Sequence, residues 1–239
     1  MNSPKRLARI AGLLYLGVGI TGGFAEGFVE PRMYVAGDAA TTAGNVVANA
    51  GLVRLGVVSD LVDQTLFIFL ALTLYALLKH VHQSAARAMV VLVAVAVAIC
   101  ALSAVFEFAG LRVATGAIDL SALGADGSNG IVLLLLDTQH YGLLIGQIFF
   151  GLWLVPLGYL TLKSGWFPKA LSIVLVVAGT CYLVDMLTKF LVPDIGQLFS
   201  RLVTSPCIVA EIWILGYLLF VGVRTTKTVQ PEKRVLTDA

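Results

Sequence analysis

The sequence predicts an all-α polytopic membrane protein, a six-transmembrane-helix bundle with a short interfacial helix in its first outer loop. The first observation is composition: 59% of the 239 residues are hydrophobic, 13% are charged, and the mean hydropathy is +0.93. A soluble domain of this size does not need so much apolar surface. The second observation is that the apolar residues form long runs. A helix needs about 20 residues to cross about 30 Å of hydrocarbon, and each run reaches that length.

The runs predict the transmembrane helices in order. They cover, approximately, residues 10–29, 55–78, 88–111, 131–162, 170–191 and 202–223. The first run follows a basic start, as in a cleaved signal peptide, but its apolar stretch slightly exceeds the usual length of about 7 to 15 residues. We therefore expect a retained first helix. Residues 1–224 are predicted to form a single membrane domain, and residues 225–239 a disordered cytoplasmic tail.

Lysine and arginine predict the orientation of the bundle. Eleven of these residues lie at the termini and in the connections after the second and fourth helices, against five in the other connections. Because positive residues accumulate in cytoplasmic loops, both termini are predicted to be cytoplasmic.

The outer connections, at residues 30–51 and 112–130, are the long ones. In the first, Asp38 is a candidate N-cap for a short helix at the outer interface. The second, rich in glycine and small polar residues, is predicted to be a mobile loop. Long loops on one face of a protein tend to carry function.

Acidic residues form a layer at one depth of the predicted bundle. Residues at or just inside the outer boundary are Glu26, Asp60, Asp63, Glu107, Asp137 and Asp185. Glu211 lies near the middle of the sixth helix, where a charged residue is expected to face the bundle interior or water.

The layer has two interpretations. Each acid can be an interfacial residue that points at headgroups and water, and Asp185 with Lys189 or Glu107 with Arg112 can form structural ion pairs at helix ends. Alternatively, the acids line one outward-facing pocket, which we favour because all six helices contribute to the layer.

Helical spacing supports the pocket interpretation. Asp60, Asp63 and Gln64 share one face, as do Asp137, His140 and Tyr141, with Gln147 two turns below His140. The candidate ligand-binding residues are therefore Glu26, Asp60, Asp63, Gln64, Glu107, Asp137, His140, Tyr141, Gln147, Asp185 and Glu211. We expect one ring nitrogen of His140 to have a carboxylate or backbone partner.

These residue types limit the chemistry. Carboxylates and one imidazole suit a divalent cation, with His140, Asp63 and Glu211 as candidate metal ligands, or acid–base catalysis. A single membrane-embedded histidine fits zinc and bis-histidine haem poorly, and no mid-helix lysine is present for retinal. Hydrolase signatures such as G-x-S-x-G are absent, so no catalytic residue is predicted.

Several functions stay open. The pocket is expected to bind a small ligand, a lipid headgroup or a divalent cation, with hydrolytic or transfer chemistry on a lipid as one form of this function. A small transporter or proton- or cation-coupled carrier, and a non-catalytic membrane scaffold or receptor, are the alternatives. No basic patch indicates nucleic acid, and membrane lipids are the expected surroundings. The sequence does not predict the oligomeric state.

Glycine spacing predicts close helix packing. Gly19/Gly23, Gly23/Gly27 and Gly142/Gly146 are four residues apart, a spacing of small residues that lets membrane helices approach each other.

Three stretches of the chain carry a resemblance to a known family. They are ARIAGLLYLGVGITGGFAE, DAATTAGNVVANAGLVRLGVVSDL, and the D-x-x-H-Y-G-x-x-I-G stretch from Asp137 that leads to a Gly-Trp-Phe-Pro turn. Over about residues 6–223 the chain resembles the bacterial integral-membrane family known as domain of unknown function 4386. The resemblance implies a multi-pass protein of the bacterial cytoplasmic (inner) membrane. It assigns no catalytic residue.

Overall fold

The computed structural model describes residues 3–192 and 196–224, which form seven helices and no strand. Six of these helices are long and apolar enough to cross a membrane, which confirms the predicted fold class. The predicted tail at 225–239 lies outside the described residues.

The helices are labelled here in chain order. They are α1 (Pro4–Phe24, continuing through a π-helical turn at Ala25–Val29 into Glu30–Met33), α2 (Ala39–Ala48), α3 (Ala50–Leu78), α4 (Gln83–Ala114), α5 (Gly124–Ser164), α6 (Lys169–Leu191) and α7 (Gly196–Gly216, followed by a π-helical turn at Tyr217–Val221). The first helix thus extends several residues beyond its predicted end.

The long helices form a ring. From α3 to α7 each long helix packs against the next one in the chain, and α1 packs against α3. The ring closes where the π-helical turn after α7 packs against α1. A Cβ atom added to Gly12 of α1 would lie 2.9 Å from the backbone nitrogen of Leu219, so the two backbones are in close contact there.

Glycines explain two of the tight helix contacts. A Cβ atom on Gly142 of α5 would overlap Ser103 of α4, and one on Gly146 would meet Cys100. The predicted packing role of this pair is therefore confirmed. Between α5 and α6, a Cβ on Gly151 would lie 2.7 Å from the carbonyl oxygen of Gly179.

The glycines of α1 have a different role. A Cβ atom added to Gly19, Gly23 or Gly27 would meet nothing within 4 Å. The prediction that these glycines bring helices together is wrong, because no neighbouring helix in the described part of the chain approaches them. They leave open space instead.

The two ends of the bundle differ in packing. Around the connections α3–α4 and α5–α6, leucines such as Leu70, Leu74, Leu154, Leu157 and Leu171 are fully buried and form a dry core. Lipid tails are as apolar as leucine, so this contact is stabilised mainly by close van der Waals packing.

At the other end, α2 closes part of the bundle. Asp38 is its N-cap, as predicted, and accepts a hydrogen bond from the Thr41 backbone nitrogen at 2.9 Å. Hydrogen bonds from the Thr41 hydroxyl and backbone lower the pKa of Asp38. Val46 of α2 is fully buried in a cluster with residues of α1, α3, α4 and α5. The short helix α2 therefore packs against the other helices of the bundle through a buried side chain.

The second outer connection differs from its prediction. The loop expected at 112–130 is mostly helical, since α4 continues to Ala114 and α5 begins at Gly124. Asp119 accepts a hydrogen bond from the Ser121 backbone nitrogen at 2.9 Å, which starts a short 3-10 turn and lowers the pKa of Asp119. Gly124 has a φ of +70°, which glycine adopts without strain, and so the chain turns directly into α5.

Candidate functional site

A cavity of about 450 Å³ lies inside the helix ring. Five helices line it, because α1, α3, α5, α6 and α7 each turn one face inward. Its lining residues include Tyr15, Gly19, Gly22, Gly23, Glu26, Glu30, Asp63, Phe67, His140, Gln147, Phe150, Trp153, Tyr182, Lys189 and Glu211. Small-molecule sites in proteins have volumes of about 300 to 1,000 Å³, so the cavity has the size of a ligand site.

Five of the sequence-predicted residues line this cavity, and six do not. The lining residues are Glu26, Asp63, His140, Gln147 and Glu211. The residues outside the lining are Asp60, Gln64, Glu107, Asp137, Tyr141 and Asp185. The rotation of each helix about its axis decides which acid faces inward, and that rotation is set by packing against neighbouring helices.

α1 contributes the longest lined surface. Its inward face runs from Tyr15 through Gly19 and Gly23 to Glu26 and Glu30. At about 1.5 Å per residue, this face is about 22 Å long, which is most of the thickness of a bilayer core. The π-helical turn holds Glu26 and precedes Glu30, and such turns occur frequently at functional sites.

At one end of the cavity, His140 pairs with an acid that the sequence analysis missed. Its Nδ1 atom lies 2.7 Å from Oε1 of Glu30, which provides the expected carboxylate partner. The His140 ring stacks on Tyr34 with centroids 5.2 Å apart. Tyr34 in turn donates a hydrogen bond to Asp137 at 2.6 Å. Burial and this hydrogen bond raise the pKa of Tyr34, so its hydroxyl stays protonated and keeps donating.

Deeper in the cavity, two carboxylates are held by neutral donors. Asp63 of α3 accepts hydrogen bonds from the Thr21 hydroxyl and the Gln64 amide, both at 3.1 Å. Glu211 of α7 accepts one from the Tyr182 hydroxyl at 2.9 Å. These donors fix the direction of each carboxylate without neutralising its charge, so both groups can still accept a cation.

Aromatic rings form the inner wall. Phe67 lies 5.1 Å from Trp153 and 5.6 Å from Phe150, measured between ring centroids. Tyr15 meets Trp153 edge-on at 6.2 Å. Aromatic faces carry negative potential and attract cations placed above them.

Two buried polar atoms on cavity-lining residues have no hydrogen-bond partner among the described residues. They are the hydroxyl of Tyr15 and the Oε1 atom of Gln147. Tyr15 is only 5% exposed, and a buried hydroxyl without a partner costs about 1 to 3 kcal/mol. An unpaired, buried polar group is expected where a water molecule or a ligand completes the hydrogen bonding.

The acids outside the lining have separate surroundings. Asp60 and Glu107 are both buried and lie within electrostatic range of each other and of Glu30. In the part of the chain that the structure describes, neither forms an ion pair, so the predicted Glu107–Arg112 pair does not form. Asp185 forms the predicted ion pair with Lys189, at 2.9 Å.

The remaining predicted residues are accounted for by local contacts. Gln64 is buried and holds Asp63, while Asp137 accepts from Tyr34. Tyr141 is exposed and packs against Phe190 at 6.3 Å between ring centroids. These side chains support the wall and rim of the cavity from outside.

The metal-site hypothesis does not fit the geometry. Within residues 3–192 and 196–224, no three histidine, cysteine, aspartate or glutamate side chains are grouped so that they could hold a metal ion. His140, Asp63 and Glu211 all line the cavity, but they are not among any such grouping.

The sequence analysis missed Glu30, Tyr15, Tyr182 and Trp153. A signal for Glu30 was present, because it lies four residues after Glu26 and so on the same helical face. It was assigned to a connection because the apolar run ends at about residue 29, whereas the π-helical turn carries the helix on to Met33. The aromatic residues carry no such signal, since aromatic side chains are common on every face of a membrane helix.

Comparison with known proteins finds a family and a relative whose descriptions name no activity. A family model described as "Domain of unknown function (DUF4386)" matches residues 10–222. A protein of Archaeoglobus fulgidus described as "Uncharacterized protein" is 44% identical over 54 residues. That match covers 22% of this chain and 33% of the relative, so the chain spans about a third of that protein's length. No solved structure matches the chain.

Proposed function

The chain belongs to the family described as domain of unknown function DUF4386, as its sequence motifs predicted, and we propose that it binds a small organic cation in its cavity. The ligand class is an amine or a quaternary ammonium compound. The observation that carries the proposal is the combination, in one cavity, of four carboxylates with a wall of aromatic rings.

The charges of the lining call for a cation. Glu26, Glu30, Asp63 and Glu211 face the cavity, whereas its basic side chains are His140 and Lys189. Both of these are already paired, His140 with Glu30 and Lys189 with Asp185. Uncompensated charge is costly away from bulk water, and a bound cation supplies the missing compensation.

The aromatic wall favours an organic cation over a metal ion. Divalent metals require several oxygen ligands at about 2.0 to 2.6 Å, and the described residues offer no such grouping. An alkylated ammonium instead combines carboxylate contacts with the faces of Phe67, Phe150 and Trp153. Cation–π contacts of this kind contribute about 0.5 to 2 kcal/mol each, depending on desolvation.

The cavity is closed at its inner end, which favours binding over passage. Beyond Phe67 and Trp153 the bundle is filled by buried leucines, including Leu70, Leu74 and Leu157. We place this dry end at the cytoplasmic side of a bacterial inner membrane, because lysine and arginine are concentrated at that end. The mouth beside Glu30 and His140 then opens outward.

Titration of the purified protein in lipid nanodiscs tests the proposal. The probes are choline and its uncharged isostere 3,3-dimethylbutanol, and the readout is calorimetry or Trp153 fluorescence. We expect choline to bind and the isostere to bind at least tenfold more weakly, because the difference between the two probes is the charge. Equal binding of the two probes, or no binding of choline, would overturn the proposal.

Substitutions connect the binding to the site. Glu211→Gln and Asp63→Asn remove a charge but keep a hydrogen-bond acceptor, and each is expected to weaken choline binding about tenfold, equivalent to about 1.4 kcal/mol. Asp137→Asn is the matched control, because Asp137 is near the same end of the bundle but does not line the cavity. An effect of equal size in the control would contradict the assignment of the site.

A further inference from the structure

Along one side of the helix ring, α1 and α7 make few contacts with each other before the π-helical turn. Gly12, Gly19 and Glu26 are seven residues apart and so lie on one face of α1, about two turns from each other. At Gly12 this face touches the backbone of Leu219. At Gly19 a Cβ atom would meet nothing within 4 Å, and Gly19 and Glu26 are both exposed. This face of α1 is therefore covered at Gly12 and exposed from Gly19 to Glu26.

The corresponding part of α7 carries exposed side chains as well. Before its contact at Leu219, α7 carries Ile212 and Ile208, which are 64% and 59% exposed, respectively. Between them in sequence lies Glu211, which lines the cavity and is only partly buried although it is near the middle of its helix. Main contacts between α1 and α7 are confined to the π-helical turn after α7. The two helices thus diverge from Gly12 onward.

This opening joins the cavity to the side of the bundle. Gly19, Gly23 and Glu26 belong both to the exposed strip of α1 and to the cavity lining. From Gly12 to Glu26 the strip extends about 21 Å along the helix, within a bilayer core of about 30 Å. If the six helices cross the membrane, the medium that meets this opening is mainly hydrocarbon.

We propose that the ligand is an amphiphile with a net positive ammonium headgroup, which reaches the cavity from the bilayer between α1 and α7. The inference rests on the proposed function and names its ligand more closely. The ammonium lies among Glu26, Asp63 and Glu211, and the alkyl chain leaves through the opening beside Ile208 and Ile212. Glycines at 19 and 23 give the chain room, since no side chain stands in its path.

Charge decides between classes of amphiphile. A phosphate next to the ammonium would lie among the same carboxylates, and the basic side chains of the lining, His140 and Lys189, already contact Glu30 and Asp185. A long-chain amine or alkyl-trimethylammonium avoids this repulsion. The Tyr15 hydroxyl, buried and without a partner in the described residues, adds a polar contact at the inner end of the cavity for a primary amine.

Photolabelling in nanodiscs tests whether the ligand enters the cavity from the bilayer between α1 and α7. The probe is dodecyltrimethylammonium with a diazirine near the end of its chain, and labelled peptides are mapped by mass spectrometry. We expect labels on α1 around residues 16–27 and on α7 around residues 205–215, and we expect choline to reduce them at least fivefold. A matched probe with the same chain and an uncharged headgroup should label outward surfaces without competition by choline. Glu211→Gln should reduce labelling by the charged probe only.

The outcomes separate the two proposals. Labels confined to the mouth, around Tyr34 and Tyr141, would overturn the lateral route while choline binding keeps the proposed function in place. Labelling that choline does not reduce, or that is equal for both probes, would likewise overturn the proposal that the ligand is a cationic amphiphile. Failure of choline itself to bind would overturn the proposed function, and the further inference with it.

Discussion

His140 joins α5 to the last turn of α1 through the 2.7 Å contact between its Nδ1 atom and Oε1 of Glu30. The ring is 43% exposed, and Tyr34 stacks on one of its faces. The residue therefore occupies the rim of the cavity, where it engages one of the four lining carboxylates. Its position explains how a polar imidazole is accommodated within the largely apolar helix α5: Glu30 and the Tyr34 ring replace part of its contact with water.

The first residue-scale prediction concerns the substitution His140→Ala. Removal of the imidazole leaves Glu30 free to face the ligand, so we expect affinity for choline to rise about fivefold. This corresponds to about 1 kcal/mol. Calorimetry in nanodiscs measures the change, and thermal unfolding checks that the bundle stays folded.

Tyr141→Ala is the matched control for this experiment. Tyr141 is adjacent in sequence and exposed, but it does not line the cavity, so its removal should leave choline affinity unchanged. A fall in affinity for His140→Ala would show that the imidazole contacts the ligand itself instead of restraining Glu30.

At the scale of elements, α1 is the helix that makes the cavity. Its inward face combines two acids with three glycines, Gly19, Gly22 and Gly23. Elsewhere in the bundle glycines have the opposite effect, since Gly151 and Gly179 bring α5 and α6 into backbone contact. One residue type therefore serves packing on one helix and open volume on another, depending on whether a neighbour fills the space.

This contrast predicts different responses to the same substitution. Gly151→Ala should lower the free energy of unfolding by about 1 to 3 kcal/mol, because the new methyl group would lie 2.7 Å from the Gly179 carbonyl oxygen. Gly19→Ala should cost nothing and can stabilise by up to about 1 kcal/mol, because alanine favours the helix. Thermal unfolding of both variants under identical lipid conditions measures the difference. Equal destabilisation would contradict the open space at Gly19.

At the scale of the whole molecule, the bundle is divided into a dry half and a polar half. Buried leucines fill one half, while the acids and the cavity occupy the other. Such a division fits a membrane protein that presents a site to one side and seals the other. We propose the orientation of these halves in the membrane from the distribution of lysine and arginine.

The orientation gives the whole-molecule prediction. A fluorescent protein fused after Ala239 should be fluorescent, and alkaline phosphatase fused at the same point should be inactive, because the C-terminus is expected in the cytoplasm. Asp119→Cys, in the connection between α4 and α5, should react with a membrane-impermeant maleimide on intact cells. Active phosphatase at the C-terminus, or a protected Cys at 119, would reverse the orientation and place the mouth of the cavity inside.

The sequence alone predicted the six spans and the family, both of which are confirmed. It could do so because crossing a membrane is a local requirement: each span must itself hold about 20 apolar residues. The N-cap at Asp38 is local in the same sense, since it depends on residues three positions apart. The layer of acids was also visible, because depth follows from counting along each helix.

Only the tertiary structure decided which acids share a cavity. Asp60 and Asp63 are three residues apart and lie on one predicted face, yet Asp63 lines the cavity and Asp60 does not. Helix rotation, fixed by contacts such as Gly142 against Ser103, sets this difference, and no short stretch of sequence contains it. For the same reason, the sequence did not predict the aromatic wall or the opening between α1 and α7. Both are formed by residues distant in the chain, whose contacts depend on how whole helices pack and diverge.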